Sequence, residues 1–190
     1  MRLVLGVLGV AVVVGLLSGG RIGRIASLRI RYPLFAIVGL GLQFFFPSRG
    51  EWPYVFLLAS FLLLAIFAVV NIKVAGFSLI LAGMLMNFLV IAVNHGMPVT
   101  QRALVDSGQR DTLTELVAHG GEKHHLAGPH DHLLFLGDVI AVPPPIHQAA
   151  SAGDVVSYFG VAWVVVAAMR RPEDAELVPT GPRLEDVPDV

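Results

Sequence analysis

Five stretches almost free of charge, residues 3–17, 33–46, 54–70, 74–93 and 155–169, run along this chain, and a long mixed segment separates the last two. A helix that crosses a bilayer needs about 20 apolar residues, with about 17 as the lower limit. The third and fourth stretches meet that as they stand. The first, second and fifth meet it by continuing into flanks such as Ser18 to Gly20, Tyr32 and, for the fifth, back to Ala149. The pattern predicts spans at 2–20, 32–47, 53–71, 74–94 and 149–169. The expected fold is an all-α integral membrane protein: a five-helix bundle with an extracytoplasmic insert, 95–148, before the last helix.

Basic residues orient the bundle. Arg21, Arg24, Arg29 and Arg31 lie between stretches one and two, Lys73 between three and four, and Arg170 and Arg171 after five. Short loops rich in Lys and Arg stay cytoplasmic, so the N-terminus is expected outside and the C-terminus inside. Arg2 and Arg49 point the other way. A cleaved signal peptide is the rival reading of the first stretch, with Ser18-Gly19-Gly20 as the small-residue site; the arginines just downstream argue against it. Residues 171–190 are rich in Pro, Glu and Asp and are expected to be a disordered cytoplasmic tail.

Composition supports the class. Hydrophobic residues make up 55% and charged residues 14%, and the mean hydropathy is +0.75, as in a multi-pass protein of the cell membrane with lipid as its constant partner. A net charge of −1 with no basic stripe excludes nucleic acid as a partner. The absence of cysteine excludes disulfides, thiolate metal sites and cysteine nucleophiles.

Within the insert, residues 100–118 mix Ala103, Leu104, Leu113, Leu116 and Val117 with polar side chains. This predicts an amphipathic helix broken at Asp106-Ser107-Gly108, with Asp111 capping the second piece. It either lies on the membrane surface or packs on the bundle as a lid. His119, His124, His125, His130 and His132 follow. Imidazoles so clustered suit a divalent, zinc-like ion, with His124, His125, His130 and His132 as candidate ligands, although Gly120, Gly121, Gly128 and Pro129 equally describe a solvated loop. Residues 133–142, apolar around Asp138 and too short to span, are expected to form a re-entrant or interfacial segment ended by Pro143-Pro144-Pro145.

Two aspartates stand beside or inside apolar sequence, in Gly137-Asp138 and Gly153-Asp154. Carboxylates are costly at a membrane and are by default functional there. Each also has a local role open to it: Ser151-x-x-Asp154 has the form of a capping box, and Asp138 can cap a helix or pair with Arg102, Arg110 or Lys123. The functional reading brings both to the outer surface, at the level of Gln43, Asn94 and His95. Asn87 shares a helical face with Asn94, seven residues on. Two close carboxylates share a proton, so that one activates water while the other protonates a substrate. Asn94, Gly96, Asn87 and Ser151 are then the expected substrate-binding residues, and no cofactor is required.

The motifs Asn94-x-Gly96-Met97-Pro98-Val99, Lys123-His124, Leu136-Gly137-Asp138-Val139-Ile140 and Ser151-x-Gly153-Asp154 together resemble an uncharacterised bacterial membrane family, the domain of unknown function 5317. That family carries no established activity. Gly137-Asp138-Val139-Ile140 and Ser151-Ala152-Gly153-Asp154 with Gly160 also resemble the two aspartate motifs of the lipoprotein signal peptidases, intramembrane aspartyl enzymes. Asn94-x-Gly96 is similar to a third motif there. Ser151 stands where those enzymes have Asn. This resemblance implies Asp138 and Asp154 as a catalytic pair. Three functions therefore stay open: an aspartyl-type hydrolase of a peptide or lipid-linked substrate, a non-catalytic binder or transporter of a small polar or lipid-linked molecule, and a structural accessory subunit.

Overall fold

A computed structural model describes residues 2–43, 52–121 and 123–171. The end of the second expected span, Arg49 and the tail from 172 lie outside the described residues. Helix α1 covers Arg2–Leu17, α2 Pro33–Leu42, α3 Trp52–Val70, α4 Phe77–Asn94 and α7 Ala152–Met169. Three of them, α3, α4 and α7, are long and apolar enough to cross a membrane; α1 and the described part of α2 are shorter. Large apolar side chains such as Leu5, Val10, Leu34, Val55, Leu62, Leu85, Phe159 and Trp163 are exposed on the outer faces. Lipid accepts such a surface and water penalises it.

The start of α2 and the end of α3 have identifiable physical reasons. Pro33 opens α2 at its first position, where the missing N–H costs nothing. The buried Asn71 side chain accepts from the Arg31 amide at 2.8 Å and donates to the Arg31 carbonyl at 3.0 Å, pinning the start of α2 to the end of α3. Within that pair Ser60 donates to the Gly39 carbonyl at 2.7 Å, and Gln43 donates to Ser60 at 2.9 Å.

The crossing of α4 and α7 sets the site. The helices run antiparallel, with Gly83 against Gly153 and Gly76 against Gly160. A Cβ on Gly153 would stand 2.6 Å from the Gly83 carbonyl oxygen, and one on Gly160 would stand 2.8 Å from that of Gly76. Only glycine permits this backbone approach, which in lipid is a main source of helix association. Asn87, one turn above Gly83, is thereby brought against the first turn of α7.

The segment between α4 and α7 corrects the all-α expectation, for it contains a four-stranded sheet. Its strands are β1 Met97–Val99, β2 His124–Leu126, β3 Asp138–Val142 and β4 Gln148–Ser151, in the order β2-β1-β3-β4. β1 is parallel to β2 and β3; β3 and β4 are antiparallel, with Asp138 opposite Ser151 and Ala141 opposite Ala149. Residues 133–142, expected as a re-entrant or interfacial segment, form a 3-10 turn, Leu134–Leu136, and strand β3. Their backbone is satisfied by a ladder rather than hidden in lipid, in keeping with β-branched Val139, Ile140 and Val142. Residues 149–151 likewise belong to β4, and α7 begins only at Ala152.

The amphipathic stretch divides where expected, into α5 Gln101–Asp106 and α6 Arg110–His119. Thr100 caps α5 through the Ala103 amide at 3.3 Å. Asp111 sits in the first turn of α6, but the cap position is Gln109, and no side chain closes it.

Candidate functional site

A cavity of about 950 Å³ opens among the sheet, α6 and the adjoining ends of α3 and α4. Leu57, Phe61 and Ile91 form an apolar part of its lining. Gln109, Thr112, Glu115 and His119 come from α6 and the turn before it, and Lys123, His124, Asp138, Gln148 and Asp154 complete the polar part.

Asp154 is held from two sides. Ser151 and Asp154 form a complete capping box: the Asp154 amide donates to Ser151 Oγ at 2.9 Å, and the Ser151 amide donates to Asp154 Oδ2 at 3.3 Å. Across the glycine crossing, Asn87 Nδ2 donates to Asp154 Oδ1 at 2.8 Å while Asn87 Oδ1 accepts from Ser151 Oγ at 2.8 Å. Asn87 and Ser151 are buried, so their polar atoms need these bonds. Each Asp154 oxygen keeps a further lone pair for the cavity.

Asp138 is brought alongside by strand pairing, since it faces Ser151 in the β3–β4 register. Only 7% of it is exposed. Burial, then the negative charge of Asp154, push its carboxyl up to about 8. His124 Nε2 stands 3.6 Å from Asp138 Oδ2, too far for a direct hydrogen bond. Half of the His124 side chain is open to the cavity. Burial pushes its imidazole below the ordinary range, neighbouring Lys123 adds to this, and Asp154 opposes it. At neutral pH the contact is therefore a protonated acid facing a neutral ring, not an ion pair.

Asp138, Asp154 and Asn87 line one cavity, and Ser151 holds two of them. Asn94 and Gly96 are not in its lining. Asn94 instead ties the loop before β3: its Oδ1 accepts from the His132 amide at 2.7 Å, and its Nδ2 donates to the His132 carbonyl at 2.8 Å. Gly96 has φ +156°, and a Cβ there would approach Lys123 O at 3.2 Å and His125 Nδ1 at 3.1 Å. Its role is the close approach of β1 and β2.

The candidate zinc ligands separate. His124 and His125 are successive on β2 and so turn to opposite faces. His124 enters the cavity, while His125 Nε2 lies 2.8 Å from Asp131 Oδ1. The Gly128 amide donates to the other Asp131 oxygen at 2.8 Å. Partial burial raises the Asp131 carboxyl, but this amide and His125 outweigh it and hold the group below its usual value. Among the described residues no three His, Asp or Glu side chains converge as a metal site.

Sequence reasoning weighed Lys123 only as an ion-pair partner of Asp138 and as part of a motif, and missed Gln148 and the polar face of α6. Lys123 Nζ reaches the Gln43 carbonyl, closing the cavity between the β2 edge and the end of α2. Nothing local marks that contact, because its two partners come from segments with no periodic relation to one another.

Residues 27–166 match the profile of a family described as "Family of unknown function (DUF5317)". The chain belongs to that family. No curated protein and no solved structure matches this DUF5317 protein. Both aspartates, Asn87 and the whole sheet fall inside the matched region.

Proposed function

We propose that this protein is a multi-pass membrane protein whose outward-facing cavity hydrolyses a peptide or lipid-linked substrate with Asp138 and Asp154. Five helices span the bilayer, with the N-terminus outside. The basic residues of the Arg21–Arg31 loop, Lys73 and Arg170 then lie inside, and the sheet, α5 and α6 lie outside. The observation carrying the catalytic reading is the inequality of the two acids. Asp138 is pushed up to about 8 and holds a proton at neutral pH, while both oxygens of Asp154 accept hydrogen bonds, from Asn87 Nδ2 and from the Ser151 amide.

Environments that separate two acids in this way assign their roles. Asp154 takes a proton from a water as that water's oxygen bonds to the substrate carbonyl carbon. Asp138 gives its proton to the carbonyl oxygen. When the C–N bond breaks, the amine departs with the proton held by Asp154, a hydroxyl of the tetrahedral intermediate returns its proton to Asp138, and the carbonyl side leaves as the acid. No cofactor enters this sequence.

The test is cleavage by the full chain in liposomes of a library of membrane-anchored peptides, read by mass spectrometry. Cleavage by the wild type that is lost in both Asp138→Asn and Asp154→Asn supports the reading. Cleavage that survives in either variant sinks it. The topology is checked by single-cysteine labelling, free of background because the chain has no cysteine: Ala127→Cys should react with an impermeant maleimide from outside, and Ala26→Cys should not.

A second reading rests on the capping box. Asp154 is already engaged locally and by Asn87, as in a site that binds a small polar or lipid-linked molecule without transforming it. That site would retain its ligand in Asp138→Asn, with no product in either protein.

A further inference from the structure

β4 is an edge of the sheet, for among the described residues it pairs only with β3. In an antiparallel ladder, alternate residues turn both their N–H and C=O away from the partner strand. Ala149 and Ser151, two residues apart, do so here, and both amides are taken by side chains. The Ala149 amide donates to Gln109 Oε1 at 2.7 Å, and the Ser151 amide donates to Asp154 Oδ2 at 3.3 Å. A side-chain amide oxygen therefore stands where the main-chain carbonyl of a neighbouring strand would stand, and the same edge runs on to the Asp154 carboxylate.

Gln109, Gln148, Ala149 and Asp154 line the same cavity, with α6 on its other side. Four strand residues at about 3.3 Å each give an edge of about 13 Å. Gln109 is no fixed part of the sheet: it lies in the turn between α5 and α6, its other bond to Oε1 coming from Ser107 Oγ at 3.1 Å.

We infer that the ligand of this cavity is an extended peptide segment that adds a strand to β4, displacing Gln109 from Ala149. Main-chain hydrogen bonds supply the recognition in such strand addition, and alternate side chains supply the specificity. In antiparallel pairing, one peptide residue opposite Ala149 accepts from the Ala149 amide through its carbonyl and donates its own N–H to the Ala149 carbonyl. Continued along the edge, the peptide reaches Asp154, with Asp138 one strand further in, opposite Ser151. This deepens the hydrolase reading by naming its substrate class, but the binding does not depend on catalysis.

The experiment uses full-length Asp138→Asn protein, immobilised in detergent, with a random heptapeptide library and its twin N-methylated at every second residue. Retained peptides are identified by mass spectrometry, and their affinities are measured by fluorescence anisotropy. Retention from the first library but not from the twin is expected. Gln109→Ala should tighten binding about three- to tenfold, as removal of one competing neutral hydrogen bond implies, whereas Gln109→Glu, which keeps an acceptor, should not.

Equal retention of both libraries, no effect of Gln109→Ala, or retention of a diacyl phospholipid and no peptide would overturn the inference. Gln109 would then serve only to guard an edge strand. The two proposals fail separately. Peptides held in a Gln109-sensitive way but never cut by the wild type refute hydrolysis alone. Cleavage indifferent to N-methylation and to Gln109 refutes strand addition alone.

Discussion

Replacing Asp138 with Asn should make the protein more stable in alkaline solution, although it removes a group central to the proposed chemistry. In the folded protein Asp138 keeps its proton until about pH 8, against an ordinary value of 3.8. Between those limits the folded state binds one proton more than the unfolded state. Stability therefore falls as pH rises, by about 1.4 kcal/mol per unit, and levels off above 8. The full interval sets a ceiling of about 6 kcal/mol. The carboxylate formed at high pH is relieved by water in the open cavity, so about 2–3 kcal/mol is the expected share.

Asn is close to Asp in shape and neutral throughout, so it avoids the burial of a charge beside Asp154. The two proteins should unfold alike below about pH 4, where Asp138 is protonated in both states, and the gap should already be opening at pH 5. At pH 9 the variant should be more stable by that amount, which for a chain of this size is about 5–10 °C in Tm. Thermal unfolding followed by the fluorescence of Trp52 and Trp163 in one detergent, at intervals from pH 5 to 9, measures the difference, and titrations common to both proteins cancel. Parallel pH profiles, or a variant less stable than wild type at pH 9, would falsify the burial argument and with it the assignment of Asp138 as the proton-carrying acid.

Three further outcomes follow from the packing. Gly153→Ala puts a methyl group against Asn87 and the Gly83 carbonyl; it should cost about 1–3 kcal/mol in unfolding assays and abolish cleavage by shifting Asp154. Asn87→Ala strands Ser151 Oγ and one Asp154 oxygen, costing about 1–3 kcal/mol, with Asn87→Gln failing to restore wild-type stability because its longer side chain meets the same close crossing. Asn94→Ala frees the His132 peptide and should lower Tm by a few degrees, while KM for any cleaved peptide stays unchanged because Asn94 lies outside the cavity lining.

What the sequence disclosed followed the range of the interactions. The apolar helices are read from composition along one segment, and α3 and α4 lie close to the bounds that pattern predicts. The capping box at Ser151 and Asp154 is also local, three residues end to end, and forms as its residues suggest. The sheet escaped because its strands are three to five residues long, too short for alternation to register, and β1 draws its partners from distant parts of the insert. The histidines of β2 were open to reading as a solvated loop for that reason. Asp138 was singled out by its cost near lipid, whereas its position opposite Ser151 depends on a register no local pattern encodes. One signal was available and unused: Gly76 and Gly83, and Gly153 and Gly160, are each seven residues apart, which places each pair on one face of its helix.

That glycine crossing has a mechanical meaning. Main chain rests on main chain at Gly83 and Gly153, so no rotamer stands between the helices to take up a displacement. Asn87 and Asp154 sit next to this contact, each on its own rigid rod. Any force that slides one rod along the other, such as a change in bilayer thickness that alters tilt, is therefore delivered undamped to the bond between them. In a bilayer, the lipid around these helices would thereby have a lever on the alignment of Asp154.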